Sequence, residues 1–282
     1  MITKTARHPT GIEIYFSADD HRYFDEKSRS YESVTQVVSA LFKPFDATEI
    51  STRKALRDGV DAAALRAEWA AKGAIAAADG TRVHEVAEDA ILNRKPRHTP
   101  RTPKERAAFR AVWDAAQMIR EKSASVHPEV ILADPSSCTA GQADLISIKS
   151  DNSGIILTDW KTWRQPELEN KYGSRALDPY SHLHDTNMVH AALQLSIYAW
   201  ILRAHYFRPD ETITTVIGHI APDATEISWL SLPDLSREAE AIMQARRADV
   251  GRIRALSNRI REAISSDAEL DSALPEELKD HE

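Results

Sequence analysis

The chain has one cysteine, Cys138, among its 282 residues. A disulfide framework, a four-cysteine metal site and an iron–sulfur cluster within the chain are all excluded, and a reducing compartment fits. Long apolar runs are missing too, and the opening "MITKTARHPTGIEIYFSADD" has no apolar signal region. The expectation is therefore a protein that neither spans a membrane nor is exported, with the cytoplasm as the default compartment. Positive charge is also in short supply. The formal net charge is −7, which argues against a uniform nucleic-acid coat while leaving room for a local basic groove.

What is present is enough apolar residue, 42% of the chain, to build a sizeable core. "GIEIYF" and "RYFDE" alternate like an N-terminal hairpin. "SVTQVVSALF" follows with Ser33 as a cap and helical spacing of Val34, Val37, Val38 and Leu41. Ala-rich segments over 61–78 and 81–92 read as two helices broken at Gly80, and a third helix is expected over 103–123. The period then changes to two, with strands expected near 129–133, 139–149 and 154–162. Residues 164–186 are long and irregular, as functional loops often are. An apolar helix "NMVHAALQLSIYAWILRAHYF", strands "TITTVIGHIA" and "TEISWLSL", and a charged helix over 232–260 complete the pattern.

This order predicts an α/β or α+β fold, a mixed central sheet flanked by helices. No linker divides it. A single domain over 1–265 is expected, with a hairpin and helical layer in 1–123, the main sheet and flanking helices in 124–265, and an acidic, frayed tail over 266–282.

The chemistry concentrates in "TAGQADLISIKSDNSGIILTDWKTW". Along an extended strand Ile155, Leu157, Asp159 and Lys161 share one face, while Trp160 points to the other. A turn centred near Asn152 brings Asp144 within about one residue of the position opposite Asp159. Two carboxylates beside a lysine repel each other unless a cation lies between them, and hard oxygen ligands suit Mg²⁺ or Mn²⁺. An ordinary half-buried ion pair between Asp159 and Lys161 is the competing reading.

Two further patterns bear on that choice. "GTRVHEVAEDAIL" places His84 and Glu88 one turn apart beside an apolar stripe. In "HAALQLSIYAW", His190, Gln194 and Tyr198 form a polar stripe on an otherwise apolar helix, and such groups need polar partners when buried.

Taken in order, "GTRVHE", "GQAD", "LTDWKT" and "QLSIY" resemble the RecB-type branch of the PD-(D/E)XK nuclease superfamily. "YESVTQVVSALFKPFD" and "EWAAKGAIAAADGT" also look like segments of phage and mitochondrial genome maintenance exonucleases of that branch. The resemblance implies a restriction-endonuclease-like core and a Mg²⁺-dependent DNA exonuclease, with Mn²⁺ as a substitute, hydrolysing phosphodiester bonds with a metal-activated water. By that resemblance His84, Asp144 and Asp159 are metal ligands, the Trp160 carbonyl adds another, and Lys161 is the catalytic lysine. Gln194 and Tyr198 shape the site and grip the strand, and Glu129 is a further acidic candidate whose alternative is a surface charge. Ala143 stands where the superfamily's name has proline, and the cysteine quartet of the iron–sulfur subgroup is missing.

The resemblance further implies a role in phage-type recombination or repair, with DNA as partner and a recombination or single-strand-binding protein as another. A structure-specific flap endonuclease and a catalytically silent DNA- or protein-binding relative are the alternatives. Phosphate contacts are expected from Lys171 and Arg175 on the irregular loop and from Arg94, Lys95, Arg97 and Arg101, in a run where six cations face one acid. Trp69, Trp113 and Trp200 read as core residues. Trp163, Tyr172 and Tyr180 are candidates for base stacking. His182, His184 and His190 read as hydrogen-bonding residues.

Overall fold

The stretch of period-two alternation folds as expected, with its first strand beginning earlier, at Ser123. The computed structural model describes residues 2–222 and 224–272. A first meander consists of β1 (Ile2–Arg7), β2 (Glu13–Ser17), β3 (Arg22–Asp25) and β4 (Ser30–Ser33). Ser33 then caps α1 (Val34–Ser39) in a capping box with Gln36, as its spacing predicts. Two helices follow, α2 (Ala47–Asp58) and α3 (Ala62–Ile91).

Here the structure departs from the sequence pattern twice. The helix α2, capped by Asp46 and closed by Gly59 in the left-handed region (φ +68°), was not expected. Gly80 does not break the Ala-rich region: α3 is one helix of 30 residues. A helical glycine costs only about 1 kcal/mol relative to alanine. The flanking alanines and the burial of Val83, Val86 and Ala87 outweigh that cost.

Beyond α4 (Pro103–Lys122) come β5 (Ser123–Asp134), β6 (Thr139–Lys149) and β7 (Ile155–Lys161). Then follow α5 (Asn187–Ile201), a π-helical turn over Leu202–Tyr206, β8 (Ile213–His219), β9 (Ser228–Ser231) and α6 (Ser236–Ser272). The last helix runs past its expected end near Ile260, and the remainder of the acidic tail lies outside the described residues.

The nine strands form one mixed, mostly antiparallel sheet flanked by helices. On one face α1, α5 and α6 pack over Leu132, Ile155, Leu157 and Ile217. On the other α3 and α4 cover Leu145, Trp160 and Ile220. Among the described residues no helix is long and apolar enough to cross a membrane.

One feature of the pairing positions everything that follows. Strand β5 runs along one edge of β6 for nearly its whole length. The other edge is shared. Strand β4 pairs in parallel with Thr139 and Ala140, and β7 pairs antiparallel with Leu145 through Ile148. Between these two borders, residues 141–144 have no strand neighbour on that side.

Candidate metal-ion and phosphodiester site

Asp144 is the last residue of this gap. Continuing the register of Leu145 with Thr158 by one step sets Asp144 opposite Asp159, so no bulge or slip is needed to align them. Instead of a further backbone bridge, Asp144 Oδ2 accepts a hydrogen bond of 2.8 Å from the Trp160 amide. His84, well inside α3 rather than at a helix start, lies with Nε2 2.8 Å from the Trp160 carbonyl oxygen and Nδ1 3.3 Å from Asp144 Oδ2. Since Nε2–H donates to the carbonyl, Nδ1 faces a carboxylate, an arrangement that favours a proton or another cation there. Burial alone lowers the His84 pKa, but Asp144 outweighs it and raises the group to about 9.

Glu129 completes the acidic cluster from the other side of β6. The pairs Pro128–Leu145 and Val130–Ala143 bracket it, so it falls opposite Asp144, with its backbone in the left-handed region at φ +55°. Such a conformation is uncommon for a side chain with a Cβ and marks a local constraint. Burial pushes the Glu129 pKa up, reinforced by Asp144, while Lys4 Nζ, 3.3 Å from Oε2, works against the rise. Ligand atoms of His84, Glu129 and Asp144 all lie within 4.8 Å of one another.

Asp159 is not part of that cluster. Its Oδ2 is 2.6 Å from Lys161 Nζ, on the shared face that strand alternation predicts. The contact is a short ion pair, and no second donor reaches this buried oxygen. Burial and the neighbouring Asp144 charge raise the Asp159 pKa to about 6 despite Lys161. Burial opposes the charge on Lys161, but Asp159 and Asp144 outweigh it and keep the ammonium protonated. Asp144 goes the other way: burial opposes its ionisation, yet His84 and Lys161 hold its carboxyl below the usual range.

Tyr198 and Gln194 project from α5 toward the same gap. Burial raises the Tyr198 hydroxyl pKa well above normal, and Gln194 is its hydrogen-bond partner. A Cβ on Gly141 would lie 2.6 Å from the Tyr198 hydroxyl oxygen, so only glycine lets the ring sit against the unpaired edge of β6. The "GQAD" segment contains Gly141, but its spacing gave no hint of this role.

The outer cations divide into two groups. Arg97 is held by Asp89 at 2.9 Å and by Glu88, and Arg101 by Asp79 at 2.5 Å and Glu105 at 2.9 Å. These guanidiniums are already neutralised by carboxylates of α3 and α4. Arg94 and Lys95 are exposed. Lys171 lies 5.1 Å above the Tyr172 ring, and Arg175 donates to the His182 carbonyl.

The loop 164–186 is well tied. Asn170 binds the Asp185 carbonyl and the Tyr172 amide, and Leu177 N–H donates to the Leu41 carbonyl. His190 pairs with Asp185 and His182 with Glu238, and His184 accepts from the Asn170 amide, in line with the hydrogen-bonding roles expected of them. Tyr172 is 84% exposed, whereas Trp163 and Tyr180 pack partly into the main core. Trp113 and Trp200 also pack against the cores. Trp69 is only half-buried, edge-on to Phe45.

The donor set tests well against a hard divalent ion: one imidazole, two clustered carboxylates, a third carboxylate whose buried oxygen has no second donor, and a nearby backbone carbonyl. This chemistry suits Mg²⁺ or Mn²⁺ without selecting between them.

No protein-family model matches the chain, and no curated protein does either. Among solved structures, the crystal structure of SSO0001 is similar at 16% identity over 79% of this chain and 75% of its own, with a TM-score of 0.32, too slight a likeness to support any argument.

Proposed function

We propose that this chain is a divalent-metal-dependent DNA nuclease of the PD-(D/E)XK type that acts on strand ends. The observation that carries the reading is the convergence of His84, Glu129, Asp144, Asp159 and Lys161 on the unpaired stretch of β6. A structural role alone explains it poorly, because three carboxylates gathered around one lysine and one histidine repel each other without a further cation.

His84, Glu129 and Asp144, with Asp159 and the Trp160 carbonyl at hand, would hold the ion. When bound, it supplies Lewis acidity toward a water and a counter-charge for a phosphoryl oxygen. Lys161, kept charged by Asp159, steadies negative charge as it grows on the phosphorus oxygens and orients the attacking water. Tyr198, locked against Gly141, fixes the floor on which the strand lies. The tied loop 164–186 stands beside the end of β7 as a wall, which favours entry of a strand by its end over lateral docking.

The test uses end-labelled linear DNA and covalently closed circles, single- and double-stranded, with Mg²⁺ or EDTA. Linear DNA should be degraded only with the metal, and circles should survive. Nicking of circles would replace the exonuclease reading by the endonuclease one. An absence of any metal-dependent cleavage would sink both.

A further inference from the structure

A cavity of about 400 Å³ opens beside the catalytic lysine, walled by Lys161, Trp163, Glu167, Asp185, His190 and Gln194. Its volume is in the range of pockets that hold small organic groups. Lys161 and Gln194 belong to both the cavity and the catalytic gap, so whatever occupies it sits next to the reacting phosphate.

The lining decides what that occupant is. Asp185 is fully engaged: Oδ1 takes His190 Nε2 at 2.9 Å and Oδ2 takes the Ser174 hydroxyl at 3.1 Å. The His190 ring is in turn stacked on Phe42, with centroids 4.0 Å apart. This side of the cavity is a rigid wall with no free ligand atom. The cation present, Lys161, is paired with Asp159. Glu167 is held by its backbone, with its amide donating to Asn187 Oδ1, and its carboxylate is exposed at the cavity rim. Away from Lys161, which stands at the catalytic end of the cavity, a phosphate would meet the negative charge of Glu167 and Asp185, so that part of the cavity disfavours the backbone of a nucleic acid. A flat group carrying hydrogen-bond donors fits, with Trp163 as an apolar side and the Gln194 amide, anchored through Tyr198, as a second polar partner.

We propose that this cavity is a base-reading subsite that takes the unpaired nucleobase flanking the scissile phosphate and prefers cytosine to thymine. The inference rests on the nuclease reading for its placement. The cytosine amino group donates to the Glu167 carboxylate while its ring acceptors face the Gln194 amide. Thymine turned the same way presents its O4 carbonyl to the same carboxylate, so that two acceptors face each other and repel. The two bases are of similar size and stacking, so their comparison isolates the polar edge.

The experiment measures binding of labelled oligo-dC and oligo-dT in EDTA by anisotropy, and their degradation in Mg²⁺, for the wild type and for Glu167→Gln. Oligo-dC should be bound and degraded about tenfold better than oligo-dT by the wild type, and the ratio should fall toward one in the variant. Glu167 is exposed, so the substitution leaves folding intact. Metal-dependent degradation with equal handling of the two oligomers by the wild type would overturn the subsite and leave the nuclease reading standing. A dC preference in binding that Glu167→Gln abolishes, with no cleavage under any metal, would support the subsite and remove the nuclease reading. A preference that persists unchanged in the variant would overturn the role of Glu167 and the subsite with it.

Discussion

Two of the aspartates buried in the sheet, Asp134 and Asp159, are treated in opposite ways. Asp134, at the end of β5, is fully buried, and Arg247 grips both its oxygens at 2.9 and 3.0 Å. His205 adds a third contact at 2.9 Å. Burial opposes its charge, but His205 and Arg247 more than compensate and hold its carboxyl well below the usual range. Asp159, 2% exposed, has one short contact with Lys161, and its pKa is raised. The chain supplies everything Asp134 needs. It does not supply what Asp159 needs. A buried charge satisfied from within is architecture, and one left short points to something that arrives from outside.

Breaking the functional side of this comparison should give the largest effect. Asp144→Asn or Asp159→Asn should lower cleavage by about 10² to 10³-fold or more, the scale of losing one transition-state stabiliser. Thermal unfolding of Asp159→Asn should show a smaller loss of stability than Asp134→Ala, because the Asn amide oxygen still accepts from Lys161 while a charge crowded against Asp144 is removed. Near-wild-type cleavage by both variants would dissolve the contrast. Lys161→Ala should abolish cleavage while titration calorimetry still detects Mn²⁺ binding, since an ammonium is not a ligand.

Breaking the architectural side comes next. Asp134→Ala should destabilise by ~3 kcal/mol, because it strands Arg247 and His205, and should leave cleavage per folded molecule unchanged. The two sites should also respond to pH in opposite senses. The depressed pKa of Asp134 contributes stability that is present above its unfolded pKa of about 4 and is lost as pH falls below that value. The raised pKa of Asp159 makes the opposite contribution, present below about 4 and lost as pH rises through about 6. Denaturant titrations should therefore show the deficit of Asp134→Asn shrinking in acid, and that of Asp159→Asn shrinking as pH rises through that window.

The smallest expected effects separate free from bound cations. Lys171→Ala should weaken DNA binding and reduce the salt-dependence slope by about one. Arg101→Ala should shift unfolding instead, with little change in slope, because its charge is already spent on Asp79 and Glu105.

Much of this was legible in the sequence where chemistry follows local period. Alternation placed Asp159 and Lys161 on one face, and Ser33 announced its helix. The stripe of His190, Gln194 and Tyr198 announced a polar neighbour. What escaped depends on contacts distant along the chain. Of the acids that neutralise Arg97 and Arg101, Asp79, Glu88 and Asp89 sit on α3, outside "NRKPRHTPRTPKER", and Glu105 alone lies within it. The membership of Glu129 in the cluster follows from the register of β5 on β6, which sets it opposite Asp144, a pairing that local sequence does not reveal. Likewise, the unpaired stretch of β6 exists only because β4, more than a hundred residues upstream, closes its other end.

That shared edge also sets when the site can come into being. Its borders are a parallel contact of Glu32 with Thr139 and a hairpin ending at Leu145, and its histidine comes from a helix between them in sequence. Loop closure over such separations is slow, and it completes late. A nascent or partly folded chain can form the β6–β7 hairpin on its own and still have no pocket and no ligand set. In refolding experiments Mn²⁺ binding should therefore appear with the slowest phase, after the secondary structure has recovered, so that the ligand set exists only once the whole domain is in place.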